Sequence, residues 1–291
     1  MPAYENRHWQ SADGLNLHVR DYPGDAAKPP ILCIPGLTRN ARDFEEVAER
    51  LAGAWRVLAV DLRGRGDSDY AKDAASYTPP TYVDDVLALL DALALPKVVA
   101  FGTSLGGIVT MLLAVKARER LAGALLNDVG PEIDPSGLAR IRTYVGKSSS
   151  FPTWMHAARA VEEANGDVYP GYTTADWLAM AKRLYYVNGS GRIVLDYDMR
   201  IAEPFREPDG EAAPDMWPTL EALSGLPVLI VRGARSDVLS AATAERMART
   251  LPGSTLVTVP DVGHTPTLSE PEVIAATDAL LARIAKEPAP A

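Results

Sequence analysis

Apolar residues alternate with polar ones early in the chain, at Leu15, Leu17 and Val19 just after an Asp13-Gly14 turn, which predicts a β-hairpin over Glu5 to Tyr22. Compact apolar runs then recur at Ile31–Ile34, Arg56–Val60, Val98–Phe101, Ala124–Leu126, Val228–Val231 and Thr255–Val259. Short unbroken runs of this kind read as parallel strands buried on both faces. Between them the apolar spacing changes to that of helices. Phe44, Val47, Ala48 and Leu51 form one stripe, Val83, Val86, Leu87, Leu90 and Leu93 a second, and Val273, Ile274, Thr277, Leu280 and Leu281 a third. Strands alternating with helices predict an α/β protein with helices on both faces of a parallel sheet.

The alternation stops between about Pro131 and Gly225. This stretch reads as helices and loops without a strand, and it interrupts two sheet strands, so it must leave the sheet and return. We expect a core domain formed by 1–130 and 226–291 and an inserted helical lid over 131–225. The lid is rich in aromatics, among them Tyr144, Trp154, Tyr169, Tyr172, Trp177, Tyr185, Tyr186, Tyr197 and Trp217. These either form a small core of their own or line an apolar pocket. Trp154, Trp177, Tyr185 and Tyr186 are the expected substrate-binding residues. The tail Glu287-Pro288-Ala289-Pro290-Ala291 is expected to be disordered.

Composition narrows the class of function. The 291 residues are 47% hydrophobic and 23% charged, enough for a sizeable core. A net charge of −9 without a Lys/Arg cluster argues against nucleic acid or an anionic membrane as partner. Cys33 is the single cysteine, so no intrachain disulfide can form, and its apolar run marks it as a buried, inert thiol. The residues from Met1 to Arg7 carry no apolar signal segment, and the apolar stretch from Leu105 to Val115 is too short to span a bilayer. We expect a soluble, cytoplasmic protein, with a homodimer left open.

The chemistry is most visible at Gly102-Thr103-Ser104-Leu105-Gly106-Gly107, between the strand ending at Phe101 and a helical run from Ile108. G-x-S-x-G between strand and helix describes a turn so tight that only glycine fits on either side of the serine, which is thereby pushed out toward a base. A serine hydroxyl needs such a base. Of His8, His18, His156 and His264, only His264 follows a sheet strand, in a loop where parallel sheets place their ligands. Asp237 and Asp128 both follow strands and could orient that imidazole. The charge-rich Asp61, Arg63, Arg65 and Asp67 read as a structural network. The chain has no Rossmann G-x-G-x-x-G, no P-loop and too few His and Cys for a zinc cluster, so neither cofactor nor metal is expected.

With these motifs in place the chain resembles the α/β-hydrolase superfamily, in its branch of lid-bearing esterases, lactonases and carbon–carbon bond hydrolases. The resemblance runs through Ile34-Pro35-Gly36-Leu37, Asp61-Leu62-Arg63-Gly64-Arg65-Gly66-Asp67-Ser68, the serine turn, Gly233-Ala234-Arg235-Ser236-Asp237 and Val262-Gly263-His264. It covers nearly the whole chain, least of all the lid. The family usually has His-Gly where this chain has Pro35-Gly36. The resemblance implies the α/β-hydrolase fold, a mostly parallel eight-stranded sheet flanked by helices with an inserted helical lid. It implies an oxyanion hole from the N–H groups of Leu37 and Leu105. It favours Asp237 over Asp128 as the acid, in the chain order serine, acid, histidine. The expected activity is hydrolysis of a carboxylic ester or lactone of a small, partly apolar substrate by Ser104, His264 and Asp237. Cleavage of a carbon–carbon bond in a ketone ring-cleavage product, acyl transfer to an acceptor other than water, and non-catalytic binding of a small ligand remain as alternatives. Epoxide and haloalkane hydrolysis are disfavoured, because relatives with that chemistry carry an aspartate at the position of Ser104.

Overall fold

The computed structural model describes residues 3–205 and 215–286; the tail expected to be disordered lies outside them. The chain opens with β1 (Glu5–Gln10) and β2 (Asn16–Tyr22), an antiparallel hairpin turning at Gly14 with φ 83°. It continues through β3 (Ile31–Ile34), α1 (Glu45–Leu51), β4 (Val57–Asp61), α2 (Pro79–Ala92), β5 (Val98–Thr103), α3 (Leu105–Ala117) and β6 (Leu121–Asn127). It then leaves the sheet for an excursion that we call the cap. The cap holds α4 (Pro135–Tyr144), β7 (Ser150–Phe151), α5 (Trp154–Asn165), α6 (Thr174–Leu184), β8 (Tyr185–Val187) and β9 (Ile193–Leu195). After α7 (Trp217–Glu221) the chain re-enters the sheet as β10 (Val228–Gly233) and finishes with α8 (Ala241–Thr250), β11 (Thr255–Val259) and α9 (Pro271–Lys286).

Eight strands form one sheet in the order β1-β2-β4-β3-β5-β6-β10-β11. The pairings β1–β2 and β2–β4 are antiparallel and the others parallel. β3 and β4 are buried at every position, as unbroken apolar runs between two helical layers must be. The stripe Val47, Ala48 and Leu51 of α1 packs with Val273, Leu280, Leu281 and Ile284 of α9 on one face of the sheet, and Cys33 lies in this layer with no exposed surface. On the other face, Val83, Val86, Leu89 and Leu90 of α2 join α3, α7 and α8. β3 pairs with β4 on one side and β5 on the other, so the sheet order reverses between β3 and β5. A crevice opens beyond the strand ends at such a reversal.

The cap corrects the expectation of a strand-free stretch, because β7, β9 and β8 form a small antiparallel sheet of their own. α5 and α6 pack together through Ala157, Ala158, Val161, Trp177, Met180 and Ala181. Thr153 and Ser240 cap the helices that follow them, and Thr173 with Asp176 forms a capping box on α6. The rest of the excursion is not independent of the core, since Ile141, Val145, Tyr197, Ile201, Trp217 and Leu220 all pack into the main apolar layer. Among the described residues, no helix is long and apolar enough to cross a membrane.

Candidate active site

β5 delivers Ser104 to the crevice. Ser104 has φ 52° and ψ −116°, a strained conformation for a residue with a side chain. The neighbouring glycines make it possible: a Cβ on Gly102 would lie 2.3 Å from the Gly106 carbonyl oxygen, and one on Gly106 would lie 2.0 Å from the Ile34 carbonyl oxygen. The Ser104 N–H is tied to the Asn127 carbonyl at 2.9 Å, which fixes the turn against β6.

Three side chains from three loops meet there. His264 Nε2 lies 2.9 Å from Ser104 Oγ, and His264 Nδ1 lies 2.8 Å from Asp128 Oδ2. Asp128 directly follows β6 with φ 57° and has no exposed surface. Its other oxygen accepts the Gly233 N–H at 2.9 Å, and its own N–H donates to Val231 at 2.8 Å. One carboxylate oxygen is thus held by the end of β10 and the other faces the imidazole, the arrangement that sets a histidine's tautomer.

This geometry corrects the expectation that Asp237 faces His264. Asp237 lies beyond β10 and turns toward the cap, where Arg140 of α4 donates from Nε at 2.5 Å and from Nη2 at 2.9 Å to its two oxygens. The Arg140 guanidinium holds the Asp237 carboxyl below the ordinary carboxylate range.

Ser104 and His264 open on a cavity of about 530 Å³. Ala160, Val161, Ala164, Met180 and Leu184 give it an apolar wall from α5 and α6, and Tyr144, Tyr169, Tyr185 and Tyr197 add aromatic surface. Of the lid aromatics expected to touch substrate, only Tyr185 lines the cavity. Trp177 is 2% exposed inside the cap core, against Tyr172 and Tyr169; Trp154 packs on the outside of that core; Tyr186 is 42% exposed. The two indole rings serve the packing of the cap core, a role that takes them away from the cavity, and Tyr186 faces solvent. Tyr144, Tyr169 and Tyr197 belonged to the same aromatic set, and no feature of the sequence separates them from the others.

The loop after β3 brings Gly36, Leu37, Thr38 and Arg39 to the cavity, and Leu105, the first residue of α3, follows Ser104 directly. Fully buried Arg65 braces Leu37: its Nε donates to the Leu37 carbonyl at 2.9 Å, and its Nη1 donates to the Arg63 carbonyl and the Tyr82 hydroxyl. Arg63 is matched by Asp85 and Asp13, joining α2 to the hairpin turn. His18, Asp61 and Asp67 bring ligand-type atoms within 4.8 Å of one another. Two of them already engage each other, since Asp61 Oδ2 meets His18 Nδ1 at 2.7 Å and also accepts the Asp67 N–H at 3.0 Å.

The cap is laced to the body on both sides of the site. Asn40 and Arg42 donate to the Arg183 carbonyl at the end of α6, and Arg42 also pairs with Asp196. Arg65 and Tyr197 form an antiparallel bridge, and the Tyr77 hydroxyl donates to Asp198 at 2.7 Å. Burial pushes the Tyr169 phenol up, which keeps it a neutral donor.

The alpha/beta hydrolase family model matches residues 31–277. A curated relative from Cupriavidus necator named 3-hydroxybutyrate-oligomer hydrolase is 40% identical over 91% of this chain and 92% of its own length. The 2-(acetamidomethylene)succinate hydrolase of Mesorhizobium japonicum is 28% identical over 89% of this chain and 88% of its own. A crystal structure of an alpha/beta hydrolase from Novosphingobium aromaticivorans superposes with a TM-score of 0.93 at 57% identity, covering 97% of this chain and 99% of that one. The chain belongs to the alpha/beta hydrolase family and is a hydrolase.

Proposed function

We propose that this protein is a serine hydrolase that cleaves a carboxylic ester or lactone through an acyl-enzyme. The observation that carries the reading is the continuous run Asp128–His264–Ser104, with contacts of 2.8 and 2.9 Å, opening on a partly apolar cavity. Ser104 Oγ attacks the carbonyl carbon while His264 Nε2 takes its proton, and the Asp128 carboxylate stabilises the imidazolium. His264 returns the proton to the leaving alkoxide. A water molecule then gives a proton to His264 as it attacks the acyl carbon, and His264 passes that proton to Ser104 Oγ as the bond to the serine breaks and the acid is released.

The Leu37 and Leu105 N–H groups serve as donors to the oxyanion. Leu105 N–H belongs to the first turn of α3, where amides lack intrahelical partners and the helix dipole favours negative charge. Arg65 holds Leu37 from behind, so the donor is set before charge develops. A relative at 40% identity named for oligomers of 3-hydroxybutyrate supports an ester of a short hydroxy acid as the substrate.

The test is covalent labelling with a fluorophosphonate together with turnover of short esters. Ser104→Ala should lose labelling and at least ~10³-fold in rate while staying folded. Equal labelling of parent and variant would refute the assignment of Ser104.

A further inference from the structure

The cavity wall is cationic in a chain whose net charge is −9. Arg39, Arg140 and Lys147 line it, and among the described residues Asp43 is the one carboxylate that does. Two of the three cations are already matched. Arg39 donates to both Asp43 oxygens at 2.5 and 2.7 Å, and Arg140 does the same to Asp237 at 2.5 and 2.9 Å. Two-point pairs of this kind leave a guanidinium little capacity for a further anion. The Lys147 ammonium differs, because among the described residues it has neither an ion pair nor a hydrogen bond.

Its position is set by the backbone. Gly146 turns the chain after α4 with φ 76°, so close to the cap's return segment that a Cβ there would lie 2.5 Å from the Ala202 Cβ. The Lys147 N–H is tied to the Tyr144 carbonyl at 3.1 Å. Ser148 and Ser149 continue the same wall. Lys147 is exposed to solvent and at the same time lines the cavity that holds Ser104 and the apolar side chains of α5 and α6.

We propose that Lys147 anchors the free carboxylate of an acidic ester whose ester carbonyl sits at Ser104. One unmatched ammonium, in a cavity whose other two cations are already paired, suits a singly charged carboxylate. The substrate class is then an acyloxy acid: a short hydroxy acid esterified at its hydroxyl, its own carboxyl free, its hydrocarbon part against the apolar wall. This inference rests on Ser104 as the nucleophile.

The test compares two substrates that differ only at the anchor, an acyloxy acid and its primary carboxamide. The parent enzyme should favour the acid in kcat/KM by about tenfold or more, the size of a charge-assisted contact. Lys147→Gln should lose most of that preference, chiefly through a higher KM for the acid, and Lys147→Glu should invert it. Equal use of acid and amide by the parent would overturn the proposal, and so would a preference that survives in Lys147→Gln. Fluorophosphonate labelling of Ser104 keeps the two readings apart. A labelled, active enzyme indifferent to the carboxylate refutes the anchor alone, whereas failure to label refutes the catalytic assignment beneath it.

Discussion

The Tyr169 hydroxyl, carried by the cap, donates to the carbonyl of Thr265 at 2.7 Å, one residue past His264. On the other flank the Gly263 N–H donates to the Val168 carbonyl at 2.9 Å. Two consecutive cap residues therefore hold the imidazole loop on both sides, so the cap positions His264 as well as walling the cavity. Tyr169→Phe removes one hydrogen bond, a contribution of about 1 kcal/mol. We expect kcat to fall by up to about tenfold with the melting temperature little changed. Steady-state kinetics beside a melting curve read this, and an unaltered kcat would mean that the clamp does not matter to the base.

The two aspartates should part sharply on mutation. Asp128→Asn leaves the geometry but offers His264 the wrong partner, and about 10³–10⁴-fold of the rate should go. Asp237→Asn should cost far less, because it loosens the pair with Arg140 rather than the imidazole. Its effect belongs to stability. A carboxyl whose folded-state pKa is lowered stabilises the fold above its ordinary range and loses that contribution as pH falls through the lowered value. Asp237→Asn should thus narrow the gap in melting temperature between neutral and acid solution. A greater rate loss at Asp237 than at Asp128 would contradict the site described above.

Two cap substitutions separate packing from selectivity. Trp177→Ala opens a hole in a core where the indole is 2% exposed, and should destabilise by about 3–5 kcal/mol. Ala164→Phe projects a ring from α5 into the cavity at an exposed position. It should leave the melting temperature nearly unchanged and shift preference toward shorter acyl chains. Rates across a series of esters of increasing acyl length decide this, and an unchanged ranking would place Ala164 outside the substrate's path.

The sheet could be read from the sequence because its signals are local. Runs such as Ile31–Ile34 and Thr255–Val259 coincide with β3 and β11, and the elbow glycines are required by collisions within a few residues of Ser104. The cap strands could not be read the same way. β7 has 2 residues and β8 and β9 have 3 each, too few to display alternation. The acid was ambiguous for a different reason. Asp128 and Asp237 follow neighbouring strands, and what separates them is a cation from α4 that draws Asp237 aside together with a positive φ that aims Asp128. Both are long-range or conformational facts with no mark in the local pattern. The same holds for the aromatics: those that line the cavity, Tyr144, Tyr169, Tyr185 and Tyr197, come from α4, β8 and the connecting segments, and only the packing of the whole cap brings them together.

Cys33 sits midway through the stack of strands, flanked by Ala59 on β4 and Phe101 on β5, and burial raises its thiol pKa far above neutrality. In the native protein it is sealed from aqueous reagents, and reaching it requires opening the layer in which α1 and α9 cover the sheet. The molecule therefore carries a single-site reporter of its own opening. A maleimide or disulfide reagent will mark only chains in which that layer has opened, and its rate of incorporation clocks that event without any engineered label.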